Sequence, residues 1–198
     1  MHNKNSTSAL LKGAVAAAVI ATSISVVAQT TRDSIPSSFL LTAGRAGSFE
    51  LGMTVDQLIA QVGREHVRLV ATFPEGMFQP ELEVDLPGFP TGPALVAPIR
   101  EWPCGQFALW SISVHDPRFR TATGLGVGST LGDLRRHYPG VTVTHIDADG
   151  GPSVVITELG LTFGMESVPV YADASRVESV WVFPQPVAVR ARKCPDRQ

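Results

Sequence analysis

The residues able to do chemistry in this chain fall in short, separate clusters. His115 precedes Asp116 at the end of an apolar run, and His145 alternates with Asp147 along another. An imidazole beside a carboxylate can relay a proton or help to hold zinc. Neither pair shows the His-x-x-x-His or His-Glu pattern of a helix-borne metal site. We read these histidines, with His66 and His137, as surface or structural residues. Asp147-Ala148-Asp149-Gly150 has the form of the first third of a calcium loop, and Glu158 falls at its closing position. Pro152, Val154 and Val155 stand between them as an apolar strand pattern, which such a loop does not contain, so a turn is expected.

Glu81, Glu83 and Asp85 alternate along one strand, with about 6–7 Å from one to the next. Paired carboxylates can do acid–base work, but this is equally the wet face of a half-buried strand, and we expect the latter. Cys104, in Trp102-Pro103-Cys104-Gly105-Gln106, is a conceivable nucleophile; half of a disulfide is the expected role. Neither a Gly-x-Ser-x-Gly elbow nor Ser-x-x-Lys occurs. Two Gly-x-Thr turns, Gly52-Met53-Thr54 and Gly128-Ser129-Thr130, lack the Lys and the further glycines of a phosphate loop, so they read as helix starts. No metal or cofactor is expected.

Recognition of a partner has better candidates. Phe73, Met77, Phe78 and Phe89 sit in Pro/Gly-rich stretches rather than on strand faces, where Trp102, Phe107, Trp110, Phe119, Phe163, Trp181 and Phe183 mostly fit. Aromatic side chains on loops serve recognition as often as packing. Arg118 and Arg120, in the charged bend from Asp116 to Thr123, complete the candidate partner-binding set.

The elements that would position these groups begin after residue 28. Lys4 and Lys12 precede an uncharged apolar run from Gly13 to Val27, and Val26-Val27-Ala28 offers small residues for cleavage. This is the pattern of a secretory signal peptide over residues 1–28, and the run is shorter than the roughly 20 residues of a membrane span. Export follows as an expectation, to the periplasm or outside the cell, with no membrane span in the mature chain. Without Lys4 and Lys12 the net charge moves from −2 to −4, and no basic cluster points to nucleic acid. In an oxidising compartment Cys104 and Cys194 read first as a disulfide, worth about 4–5 kcal/mol on a loop-entropy argument; two separate thiols are the alternative.

Residues 29–48 read as a flexible lead-in, with a short ordered piece at Phe39-Leu40-Leu41. Thr54 then caps a helix through Val55, Leu58, Ile59 and Val62, with Gln57 at the capping-box position and Gly63 as the stop. Strands are expected over His66–Thr72, Glu81–Leu86 and Gln106–His115, while the proline-rich stretch Pro87–Pro98 is excluded as a central strand. Val127 stands 76 residues after Leu51 (127 − 51) and repeats the pattern: Thr130 caps, Leu131, Leu134 and Tyr138 form the stripe, and Pro139-Gly140 stops it. A hairpin over Val141–Ile146 and Ser153–Thr157 follows, then strands over Leu159–Met165 and Val177–Phe183.

The stretch Phe-Glu-Leu-Gly-Met-Thr-Val-Asp-Gln-Leu-Ile-Ala-Gln-Val-Gly, Phe49 to Gly63, resembles the Gly-Met-Thr helix opening of the small outer-membrane assembly lipoproteins. It also resembles the tandem repeats of the secreted β-lactamase inhibitory proteins. Leu161-Thr162-Phe163-Gly164 followed by Val177-Glu178-Ser179-Val180-Trp181 is similar to their closing strands. The second copy departs from the motif at Ser129 and Pro139. The resemblance implies a helical opening packed on an antiparallel sheet.

The expectation is therefore an α+β fold of two related units, 49–115 and 116–198, each a short helix on an antiparallel sheet, the second with a Pro-rich tail. The expected function is non-catalytic: a protein- or ligand-binding module of the envelope or extracellular space, its partner another protein. A metal-assisted or His-dependent hydrolase and a structural envelope component are the alternatives.

Overall fold

The computed structural model describes residues 35–102, 105–146 and 151–184. The expected signal peptide and Asp147–Asp149 turn, with Cys104 and Cys194, lie outside them, as does the side chain of His145.

Thr54 and Thr130 open the two helices by the same device. In α1 (Val55–Val62) the Gln57 amide donates to Thr54 Oγ1 at 3.2 Å, and Gln57 Oε1 accepts from the Thr54 amide at 2.9 Å. In α2 (Leu131–His137) Asp133 takes the place of Gln57, with distances of 3.1 and 2.9 Å. Each capping box satisfies two amides that a helix start otherwise leaves without partners. The donated bonds from the Thr130 amide and hydroxyl also hold the Asp133 carboxyl below its ordinary range. Leu58, Leu131 and Leu134 are buried in the core. Tyr138 is the C-cap of α2 and packs, partly buried, against the same core.

The turn before each helix is anchored alike. Gly52 and Gly128 have φ of 83° and 84°, a region that a side chain would strain. The Gly52 amide donates to the Leu109 carbonyl at 2.9 Å, and the Leu109 amide returns to Met53 at 3.0 Å. The Gly128 amide donates to Val177 at 2.7 Å, and the Val177 amide returns to Ser129 at 2.9 Å.

Three short strands, β1 (Leu41–Thr42), β2 (Arg45–Ala46) and β3 (Phe49–Glu50), form a small antiparallel sheet. They correct the expectation of a flexible lead-in, whose described part begins at residue 35. Leu41, Ala46 and Phe49 are buried, and the Leu41 amide and the Phe39 carbonyl bond to Arg120 at 2.8 and 2.9 Å. The Phe39 ring meets Phe119 edge-on at 5.1 Å. Order here comes from a distant stretch of chain, which local polarity does not announce.

The remaining strands are β4 (Val67–Thr72), β5 (Gln79–Val84), β6 (Leu95–Trp102), β7 (Gln106–Leu109), β8 (Ile112–Val114), β9 (Thr144–Ile146), β10 (Gly151–Ile156), β11 (Leu161–Met165) and β12 (Val177–Val182). They form one antiparallel sheet in the order β4-β5-β6-β8-β12-β11-β10-β9, and β7 pairs with β6 off this path. The described fold is thus α+β and mostly sheet. Val84, Leu95, Ala97, Val114, Val180 and Phe163 line its buried face with the helix leucines. Among the described residues no helix is long and apolar enough to cross a membrane.

Two strand expectations need correction, and one proline explains both. Pro98 lies inside β6, opposite Glu81 of β5. On its other side β6 pairs with β8 only at Leu95 and Val96, and with β7 from Ile99 to Trp102. Pro98 stands at the change of partner, and its carbonyl accepts the Trp110 amide at 2.8 Å. The N–H that proline lacks would point into that gap, so a central strand tolerates it. The same change of partner breaks the expected continuous strand Gln106–His115 into β7 and β8 at Trp110-Ser111.

Candidate functional site

The β4–β5 hairpin carries the most exposed apolar cluster with mutual packing. A 3-10 turn over Pro74–Gly76 links the strands; the Gly76 amide bonds to Phe73 at 3.1 Å and the Met77 amide to Pro74 at 2.9 Å. Proline suits the first position of such a turn, and Gly76, at φ 77°, takes the left-handed one. The turn leaves Phe73, Met77 and Phe78 at 66%, 63% and 65% exposure. The Phe73 and Phe78 rings meet edge-on at 5.9 Å. Their polar surroundings are Thr72 Oγ1, which donates to the Gln79 carbonyl at 3.1 Å, and Gln79 Nε2, which donates to Glu81 at 2.7 Å.

The other three candidates do not belong to this cluster. Phe89 is half-buried against the core, with its amide on the Leu86 carbonyl at 3.2 Å. Arg118 forks onto the buried Asp116 carboxylate through Nε, at 3.0 and 2.9 Å, and through Nη2, while its Nη1 donates to Pro87 at 2.7 Å. Its guanidinium also lies over the Phe39 ring at 4.9 Å. Arg120 donates from Nε to Pro117 at 2.8 Å and from Nη1 to Ser129 Oγ at 3.2 Å. Both arginines hold the bend between β8 and α2 together. The charge pattern of the bend suggests a surface for a partner, but the carboxylate that engages Arg118 lies two residues away.

The acid–base candidates are also engaged. Asp116 is fully buried and occupied by Arg118 and its amide, so it does not orient His115. His115 Nε2 lies 3.1 Å from Ser113 Oγ, and burial pushes its pKa below the ordinary value, partly offset by the Glu178 carboxylate. A serine and a base at that distance could do nucleophilic chemistry. Here Ser113 is itself buried within the sheet, opposite Trp181 and Val96. Glu83 and Asp85 pair with Arg68 of β4 at 3.0 and 3.7 Å, as a wet strand face does. Among the described residues no three of His, Cys, Asp and Glu are grouped to hold a metal.

Sequence reasoning missed an apolar groove of about 390 Å³ between α1 and the β4 end of the sheet. Val55, Ile59, Val67, Leu69, Leu82, Ile99 and Phe107 supply its apolar lining. Leu69 and Phe107 remain 64% and 52% exposed. Only the length of α1 hinted at this: eight residues cover little of a broad sheet. No family model and no curated protein matches the chain. A solved structure, that of the uncharacterized protein yfeY from Escherichia coli, is similar at 13% identity with a TM-score of 0.48, covering 73% of this chain and 97% of that one.

Proposed function

We propose that the protein is an exported, non-catalytic binding module whose docking surface for another protein is the tip of the β4–β5 hairpin. The observation that carries this is the exposed trio Phe73, Met77 and Phe78 on a turned, ring-packed tip. Contiguous exposed aromatic and methionine side chains mark interaction sites. The leader pattern Lys4, Lys12 and Gly13–Val27 supports delivery to the periplasm or the exterior. There Cys104 and Cys194 would pair. Occupation of Asp116 by Arg118 weighs against a His115/Asp116 hydrolase.

The architecture is read further as two related helix-plus-sheet units of the β-lactamase inhibitory protein or assembly-lipoprotein type. Support comes from the matched capping boxes, from the matched bonds of Gly52 and Gly128, and from the strand order, in which β4 to β8 and β9 to β12 each follow one helix.

The test is capture of crosslinked partners from the exported fraction with the wild-type chain and with the double variant Phe73→Ser/Phe78→Ser. At their exposure both rings contribute little to folding, so the variant should unfold at a similar urea concentration and lose its partner at least tenfold. A partner retained at unchanged affinity removes the hairpin tip as the site.

A further inference from the structure

Among the described residues β4 closes one end of the larger sheet with an unpaired edge. The Asp85 amide donates to the His66 carbonyl at 2.9 Å. In an alternating strand, Arg68, Val70 and Thr72 then also turn their backbone groups toward β5, and Val67, Leu69 and Ala71 turn theirs outward. Arg64 covers the first of these: its carbonyl accepts the Val67 amide, and its Nη1 donates to the Val67 carbonyl at 2.7 Å. Leu69 and Ala71 present an N–H and a C=O each to any incoming chain. Such an edge is a template for one more strand.

The two faces beside this edge differ. On the buried-face side, the groove lined by Ile59, Val67, Leu69, Leu82, Ile99 and Phe107 opens next to Leu69. On the other side β5 carries Glu81 and Glu83, with Asp85 just beyond its end; Arg68 pairs with Glu83 and Asp85, and Arg100 of β6, on the same face, lies over the Trp110 ring. Val70, directly opposite Glu81, is small and uncharged, so a long cation on a neighbouring strand could reach across it.

We propose that the β4 edge takes up an extended segment of a partner protein as an added strand, its alternate apolar side chains entering the groove beside α1 and its intervening basic ones facing Glu81 and Glu83. This rests on the reading of the hairpin as a docking surface and gives the partner a conformation and a charge pattern. A second copy of β4 fits less well, because its Val67 and Leu69 already line their own groove.

The probe is a labelled, end-blocked peptide, Lys-Val-Lys-Leu-Lys-Val-Lys, followed by fluorescence anisotropy against the whole protein. Saturable binding is expected, at least tenfold weaker for the Glu-for-Lys peptide and for a peptide N-methylated along one backbone edge. Protection of the Leu69 and Ala71 amides from exchange should accompany it. Leu69→Pro, which removes an outward N–H and leaves the β5 side intact, should weaken binding at least tenfold. No saturable binding to the wild type, equal binding of the N-methylated peptide, or self-association that Leu69→Pro abolishes without any peptide binding would each overturn the proposal. Phe73→Ser/Phe78→Ser separates the two readings. Loss of the captured partner with no peptide binding to the wild type leaves the tip and removes the edge; retained capture with edge-dependent peptide binding does the reverse.

Discussion

Gly164 of β11 lies opposite Ser179 of β12. A Cβ placed on it would press into Ser179 Oγ and stand 3.6 Å from Trp181 Nε1. That same oxygen accepts the Trp181 indole N–H at 2.9 Å. Gly164→Ala therefore forces the hydroxyl to another rotamer and removes the indole's partner. The lost hydrogen bond is worth about 1 kcal/mol. Alanine in a strand returns about 0.5–1 kcal/mol relative to glycine. In the wild type the substitution should thus be neutral to destabilising by at most about 0.5 kcal/mol, the two effects opposing each other. In a Ser179→Ala background there is no oxygen to displace, and the Ser179 Cβ position, 3.7 Å away, is an ordinary contact. There Gly164→Ala should stabilise by about 0.5–1 kcal/mol, giving a coupling near 1 kcal/mol between adjacent sites. Urea unfolding of the four proteins, followed by far-ultraviolet circular dichroism, reads all of these differences. The same cost in both backgrounds, or destabilisation by Gly164→Ala within the Ser179→Ala background, would refute the close-contact argument.

Thr54→Ala and Thr130→Ala should each lower stability by about 1 kcal/mol in urea, with the two changes additive because the capping boxes share no residue. Arg118→Ala should cost more than Asp116→Ala, roughly 3 kcal/mol against 2, because it strands a buried carboxylate whereas the half-exposed arginine can turn to water; the reverse ranking in urea would count against the pairing. For His115, burial lowers the folded pKa below the ordinary value of 6.5, so the unfolded chain takes up the proton first. Stability should be fully present above that value and decline as pH drops from it toward the folded pKa. His115→Gln should flatten this part of the stability–pH curve. Mass spectrometry of the non-reduced exported protein should find it two hydrogens lighter than the dithiol, the expected signature of a Cys104–Cys194 bond.

Much of this fold was legible where one local rule acted alone. Thr54 with Gln57, and Thr130 before an apolar stripe, announce helix starts through bonds made within one turn. Leu82 and Val84 alternate with Glu81 and Glu83, and β5 follows that alternation. Misreadings arose where a distant partner decided the outcome. Pro98 looked incompatible with a central strand until the exchange of β8 for β7 placed its missing N–H in a gap. The lead-in reads as flexible outside Phe39–Leu41 because its order depends on Arg120 and Phe119. Of the candidate site, the exposure of Phe73, Met77 and Phe78 is legible because turn residues flank them. Phe89 has the same flanks, and Arg118 the same charge, as residues that do face solvent; only packing separates them. Leu69 was hidden for the opposite reason, since its apolar run gives no sign of which residues a short helix leaves uncovered.

The strand order carries a kinetic consequence. Neighbours in the larger sheet are joined through nearby sequence everywhere except at β8 and β12, where Val114, Ser113 and Ile112 meet Val180, Trp181 and Val182. Val180 follows Val114 by 66 residues (180 − 114), so closing that ladder costs about 4 kcal/mol of chain entropy before its three residue pairs contribute anything. The hairpins on either side close far shorter loops and can zip independently. The β8–β12 ladder is then the slow step of folding and the seam along which the sheet should part first, and amide exchange at Ile112 and Val114, whose backbone groups face β12, would time its opening.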